Sequence, residues 1–143
     1  MVIFFLILAM LFLPACNPAE KQKNNPATNH TEDFAIFEIR KEFHNFGTLH
    51  DGEIVSYPFW FKNIGGAPLK IASAETDCGC IKLSVPEHEI MPNDSAYIEV
   101  IFNSEGEVGK TLKTVTVFAN IEKKKIQIHI LADVKSKWIE LNN

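Results

Sequence analysis

Thr76-Asp77-Cys78-Gly79-Cys80-Ile81 concentrates the residue types able to carry side-chain chemistry, because it holds two of the three cysteines of the 143-residue chain. In an extended strand, residues i and i+2 point the same way with Cα atoms about 6.6 Å apart, at the upper edge of disulfide geometry. Closing a Cys78–Cys80 bond therefore requires a bend, which Gly79 permits. A second reading is a soft-metal site such as Cu(I), for which two thiolates on one side of a turn are suited. His88 and Met91 follow downstream as weaker ligand candidates. Cys80, His88 and Met91 occur in the order of blue-copper loops, but the Cys80–His88 interval is too wide for one, so His44 or His50 would have to complete the set. The third reading is two small side chains that only pack. A thiol nucleophile is disfavoured, because Asp77 would hold a thiol protonated and no adjacent cation activates either sulfur.

Other constellations carry less. Glu87-His88-Glu89 lies between prolines and reads as a solvated loop. No strand-linked Gly-x-Ser-x-Gly, His-Glu-x-x-His or phosphate-cradling glycine loop is present, so the expectation is a protein without catalysis and without a cofactor. Tyr57, Phe59, Trp60 and Phe61 read as core and sheet-surface residues rather than a ligand platform. Asp94-Ser95-Ala96 matches a three-residue glycosylation pattern of Bacteroidetes-type periplasmic proteins, making Ser95 a candidate modification site. Asn29-His30-Thr31 matches a eukaryotic sequon and is set aside as coincidence.

The elements that must position these residues follow from the hydrophobic period. Met1–Ala15 is almost entirely apolar, too short for a spanning helix of roughly 20 residues, and fits the central region of a secretion signal. Leu13-Pro14-Ala15-Cys16 resembles a bacterial lipobox. The resemblance implies that Cys16 is lipidated and becomes the mature N-terminus, making the membrane a partner through the anchor. A simple secretion signal or an uncleaved anchor is the alternative. Residues 16–33 form the lipidated cysteine and a tether without large apolar residues; about 17 residues of coil span on the order of 20–25 Å.

From Phe34 the period becomes two. Ile36–Ile39 and Glu42–Phe46 suggest a first strand or a broken pair ending at Gly47. Val55, Tyr57, Phe59 and Phe61 alternate with polar or bulky neighbours, and Pro58 argues for a bulge or a sheet edge. Further strands are expected over Pro68–Ala74, Ile81–Val85, Ala96–Phe102, Val115–Ala119 and Ile126–Ile130. The connections expected between them are Asn63–Gly66, Glu87–Asp94, a glycine-bearing loop over Ser104–Lys110, and Asn120–Lys124. About seven short strands without a credible helix make this an all-β chain, an Ig-like antiparallel β-sandwich over residues 34–134, followed by a tail (135–143) in which Trp138 and Leu141 could dock. The Cys…Trp…Cys pattern of antibody domains is absent.

The formal charge of −4 is unevenly spread: 13 acidic against 7 basic residues before Glu105, and 5 against 7 from there on. Neither half forms the basic stripe that nucleic-acid binding requires, and Lys123-Lys124-Lys125 reads as a solvated hairpin tip.

Phe46-Gly47, the strand ending Phe61-Lys62-Asn63-Ile64-Gly65, then Cys78-Gly79-Cys80, Ile90-Met91-Pro92-Asn93-Asp94-Ser95 and Ile101-Phe102-Asn103 together resemble the bacterial domain of unknown function 1573 family, over roughly Phe37–Val134. That family is similar in turn to Hydin-like and major-sperm-protein-like Ig folds. Where the family pattern has proline-glycine, this chain has Pro92-Asn93, and asparagine also tolerates positive φ. The resemblance implies an Ig-like sandwich on an exported, often lipid-anchored protein that meets a protein or other envelope partner; it implies no reaction.

Overall fold

The computed structural model describes residues 34–136. The signal segment, Cys16, the tether, Trp138 and Leu141 lie outside the described residues. Eight strands pack as two four-stranded sheets. β1 (Phe37–Ile39), β3 (Ile54–Asn63), β6 (Ser95–Asn103) and β5 (Ile81–Ser84) form one, in the order β1-β3-β6-β5. β2 (Phe43–His50), β8 (Lys125–Lys135), β7 (Gly109–Ala119) and β4 (Ile71–Thr76) form the other, in the order β2-β8-β7-β4. No helix occurs among the described residues.

The period of two builds the core directly. Phe59 and Phe61 of β3 and Ile98, Val100 and Phe102 of β6 point inward from one sheet. Val115 and Val117 of β7 and Ile128, Ile130, Ala132 and Val134 of β8 meet them from the other. Each such side chain except the single methyl of Ala132, fully removed from water, contributes about 1.5–3 kcal/mol before entropy is charged against it.

Three expectations change. The segment before Gly47 is a broken pair, as one of the two readings had it, but it does not end there. The chain leaves the β1 sheet after Ile39, enters the second sheet as β2, and runs on to His50. Gly47, at φ 76°, is absorbed into a bulge between Asn45 and Thr48, with the Asn45 Oδ1 accepting the Gly47 N–H at 2.8 Å. A glycine in that conformation bends a strand without terminating it. Because the chain crosses between sheets instead of reversing, β2 pairs parallel with β8, so the sandwich is not wholly antiparallel. Finally, β7 begins at Gly109, inside the segment expected to be a loop. In its first half the inward positions are Thr111 and Lys113, while Leu112 faces out at 60% exposure; this inverts the apolar-in pattern that marks a strand.

Pro58 sits where β1, which covers only Phe61–Asn63 of β3, has already ended; the missing N–H therefore falls on an open edge. The end of the sandwich near β1 is closed by Asn63, which is fully buried. Its Nδ2 donates to the carbonyls of Ala67 (2.8 Å) and Ile90 (2.9 Å), and its Oδ1 accepts from Gly65 (3.0 Å) and Ile36 (3.3 Å). Its backbone N–H reaches the Asp94 carbonyl and its C=O accepts from Asn93, which adopts φ 71° as its turn requires. Gly65 is held against the segment preceding β1 so closely that a Cβ would overlap the Phe34 carbonyl oxygen. The opposite end is tied by Ser104, whose Oγ donates to the His50 carbonyl at 2.8 Å, and by Asp51, whose Oδ1 accepts from Gly106 at 2.8 Å.

Candidate functional site

Cys78 and Cys80 lie on the connection that carries the chain from β4 in one sheet to β5 in the other. The turn brings their Cα atoms to 5.2 Å, and the two sulfurs are joined as a disulfide. The bend does not depend on a glycine-only conformation: Gly79 has no left-handed φ, and a Cβ there would meet nothing within 4 Å. The Cys80 carbonyl accepts the Asn103 N–H at 2.9 Å, which fixes the turn to the end of β6. Both cysteine side chains are half-buried against the core.

The third group at this corner is one the sequence reading did not single out. A Glu107 carboxylate oxygen and both sulfurs lie within 4.8 Å of one another. Glu107 is also paired with Lys113 Nζ at 2.7 Å and receives the Thr111 hydroxyl at 3.5 Å. The inward polar residues of β7 therefore serve this corner, where the core gives way to solvent. The signal was present as a polar inward stripe, but without the strand assignment it could not be read.

The other ligand candidates do not converge here. His88 and Met91 belong with the start of β6, Met91 through the turn in which Asp94 N–H donates to its carbonyl. The cysteines sit at the far end of that strand, roughly 26 Å away along eight residues. Among the described residues, no triad of potential ligand atoms includes His44, His50 or His88. His44 is instead stacked on Tyr57 (ring centroids 3.6 Å) and set edge-on to Phe46 (4.6 Å). Its Nδ1 is buried without a hydrogen-bond partner. Desolvation, helped by the Lys41 charge, holds its pKa below the ordinary 6.5.

The aromatic residues of β3 divide by strand parity. Phe59 and Phe61 enter the core, and Tyr57 half-enters it. Trp60 points outward at 47% exposure beside Tyr97 of β6 at 45%, with ring centroids 4.9 Å apart and planes tilted by 52°. An open cleft of about 360 Å³ runs alongside, lined by this pair with Ser84, Pro86, His88 and Ser95. A second, of about 260 Å³, opens on the other side of Trp60 against Arg40 and again Ser95. Ser95 is exposed at the mouth of both.

The sandwich is similar to several solved structures. One is a Porphyromonas gingivalis protein of unknown function, 19% identical over 77% of this chain, with a TM-score of 0.64. The chain spans 51% of that protein's length. Another is an ASH / PapD-like domain of human CEP192 (13% identity, 70% of this chain and 85% of that one, TM-score 0.54). The Vibrio cholerae VesB protease matches over 74% of this chain and 33% of its own (15% identity, TM-score 0.55). These identities speak to the fold and not to activity. A search of curated proteins found no match. The family model described as protein of unknown function (DUF1573) matches residues 37–134, the whole of the sandwich from β1 to the end of β8 but its last residue, and the chain belongs to that family.

Proposed function

We propose that the chain is a non-enzymatic, exported lipoprotein of the bacterial cell envelope, anchored through Cys16, whose sandwich holds a partner on the outward face of Trp60 and Tyr97. The anchor rests on the lipobox resemblance of Leu13–Cys16. The observation that carries the binding role is the half-exposed Trp60–Tyr97 pair beside an open cleft. Large aromatic side chains left at the surface next to a concavity supply contact area at small entropic cost. A photo-reactive phenylalanine analogue, which keeps the aromatic ring of Tyr97, placed at position 97 in cells tests it, with position 112, a more exposed apolar site on the other sheet, as control. An adduct at 97 and none at 112, together with a lipid-sized mass increase on Cys16, is the expected result. No adduct at 97 would overturn the binding role, and an unmodified Cys16 would overturn the anchor.

A glycan on Ser95, in the Asp94-Ser95-Ala96 pattern, would stand at the mouth of both clefts and fill them, so glycosylation there is the alternative to a ligand on this face. An unmodified Ser95 peptide from native material would sink that assignment.

A second reading has its own observation. Cys78, Cys80 and Glu107 place three ligand-type atoms within 4.8 Å, so a reduced pair could offer two thiolates and a carboxylate to a soft or borderline ion. His88 and Met91, set at the other end of β6, drop out of this version. Thiol counting and metal analysis of protein purified without reductant separate the two readings: a blocked pair without metal favours the binding module, and two free thiols with stoichiometric metal favour the centre.

A further inference from the structure

We infer that the ligand of the Trp60–Tyr97 face is a neutral pyranose oligosaccharide, an inference that rests on the binding role proposed above and names its chemical class. A pyranose ring presents an apolar C–H face edged by hydroxyls. It needs an aromatic plane to stack on and hydrogen-bonding side chains around that plane. Trp60 supplies the plane and Tyr97 closes one flank. Around them stand the hydroxyls of Ser84 and Ser95 and the imidazole of His88, with the Arg40 guanidinium across the indole. Among the described residues, none of these polar side chains is engaged in a hydrogen bond or ion pair with another protein group. Their donors and acceptors are directed to solvent or ligand.

The charge pattern selects against other ligands. No Asp, Glu, Lys or Arg lines the larger cleft, and a single arginine lines the smaller. A phosphate-bearing ligand, whether nucleic acid or an anionic headgroup, would lack the cluster of cations it requires. A peptide binding to a sandwich gains most of its affinity by pairing backbone amides with a strand edge. This cleft lies over the sheet face, where β3 and β6 have already paired with each other from Ile54 to Lys62. Beyond Ser84 the β5 side of β6 is unpaired only over Ser95–Ile98, and a peptide strand added there is the competing occupant. The cleft of about 360 Å³ is at the small end of the range for small-molecule sites. The 52° tilt means that the two rings do not make a flat platform. A single soluble chain fits that shape, whereas a flat crystalline face does not.

The test is isothermal titration of the full chain with cellohexaose, chitohexaose and decaproline. These probes represent neutral hexose chains, the N-acetylated sugars of cell walls, and an apolar peptide. Saturable binding of either oligosaccharide is expected. Trp60→Ala and Tyr97→Ala should each weaken it by about tenfold or more, the size of loss typical for aromatic anchors. Trp60→Phe should recover part of the loss, while Cys78→Ser/Cys80→Ser should leave affinity unchanged. Which sugar binds decides between the two sources. Ser84→Ala, predicted to weaken binding about threefold or more through one lost hydrogen bond, keeps the test decisive if Trp60→Ala fails to fold. No titration with either sugar, or binding indifferent to Trp60 and Tyr97, overturns the inference. If decaproline alone binds and Trp60→Ala abolishes it, the saccharide falls while the binding role stands. If nothing binds and position 97 gives no crosslink, both fall.

Discussion

Replacing Asn63 should be among the most damaging single changes available outside the apolar core. Its side chain makes four hydrogen bonds, at 2.8, 2.9, 3.0 and 3.3 Å, to groups on three separate segments. At a net value of about 1 kcal/mol each, Asn63→Ala forfeits roughly 3–4 kcal/mol. The Ile90 carbonyl keeps the Leu69 N–H at 2.9 Å, so the expected loss stays at about 3–4 kcal/mol. That is a large part of a domain's typical 5–15 kcal/mol, and would lower the melting temperature by roughly 15–25 °C. Asn63→Asp is the sharper probe, because it preserves shape and the acceptor for Ile36 and Gly65. Where Nδ2 now donates to two carbonyls, it places a carboxylate oxygen facing them. Burial and the carbonyl dipoles raise the folded-state pKa of that carboxyl above its unfolded value of about 3.9. The unfolded chain thus ionises first as pH rises, and the variant's stability falls from pH 4 upward until the folded carboxyl also ionises. Urea unfolding of the full chain followed by circular dichroism, at pH 4.5 and 7.5 with the native chain measured alongside, reads both effects. Asn63→Asp should lose stability relative to native between those two pH values, and should be no more stable than Asn63→Ala at the higher. A loss below about 1 kcal/mol for Asn63→Ala, or an aspartate variant insensitive to pH, would refute the hub.

Gly65→Ala should cost several kcal/mol by forcing the segment before β1 away, whereas Gly79→Ala should be neutral or stabilising by up to about 1 kcal/mol, since its φ and its surroundings both admit a Cβ; parallel urea midpoints check the pair. Cys78→Ser/Cys80→Ser should lower stability by only about 1–2 kcal/mol, because closing a three-residue loop removes little unfolded-state entropy, and reductant should cost the native chain a similar amount. His44 has a folded pKa depressed below 6.5, so its contribution is complete above pH 6.5 and is lost as pH falls below it. Native protein should therefore lose more stability between pH 7 and 5 than His44→Phe, by thermal melts in matched buffers; equal losses would remove His44 from the account.

Most of the sandwich was legible because alternation is a property of sequence alone. Val55 to Phe61, Ala96 to Phe102 and Ile126 to Ile130 announce inward faces without reference to any partner. What escaped depended on partners. The first half of β7 is hidden from sequence alternation because Thr111 and Lys113 face inward to meet Glu107, a residue in the preceding loop whose position no local pattern reveals. The parallel pairing of β2 with β8 depends on a crossing between sheets at residues 40–42 that carries no distinctive residue. At the candidate site, the cysteines were visible from their spacing, but the separation of His88 and Met91 from them follows from the length of β6. In sequence Trp60 stands among aromatic neighbours; only parity, combined with which face is covered, singles it out.

The parallel seating of β2 has a consequence for the order in which the chain can assemble. Phe43 pairs with His129, its partner 86 positions later, whereas β7 and β8 form a hairpin around the turn at Lys124. Loop-closure entropy favours the hairpin first and the β2 contact late, so the fold belongs with slow, high-contact-order β proteins that form in milliseconds to seconds. A chain made from its N-terminus presents β2 long before β8 exists to receive it. Until then β2 carries the exposed Phe43 and unpaired amides, and afterwards β8 offers an open edge to any other strand that arrives sooner. The interval between those two events is when this protein is most exposed to pairing with the wrong chain.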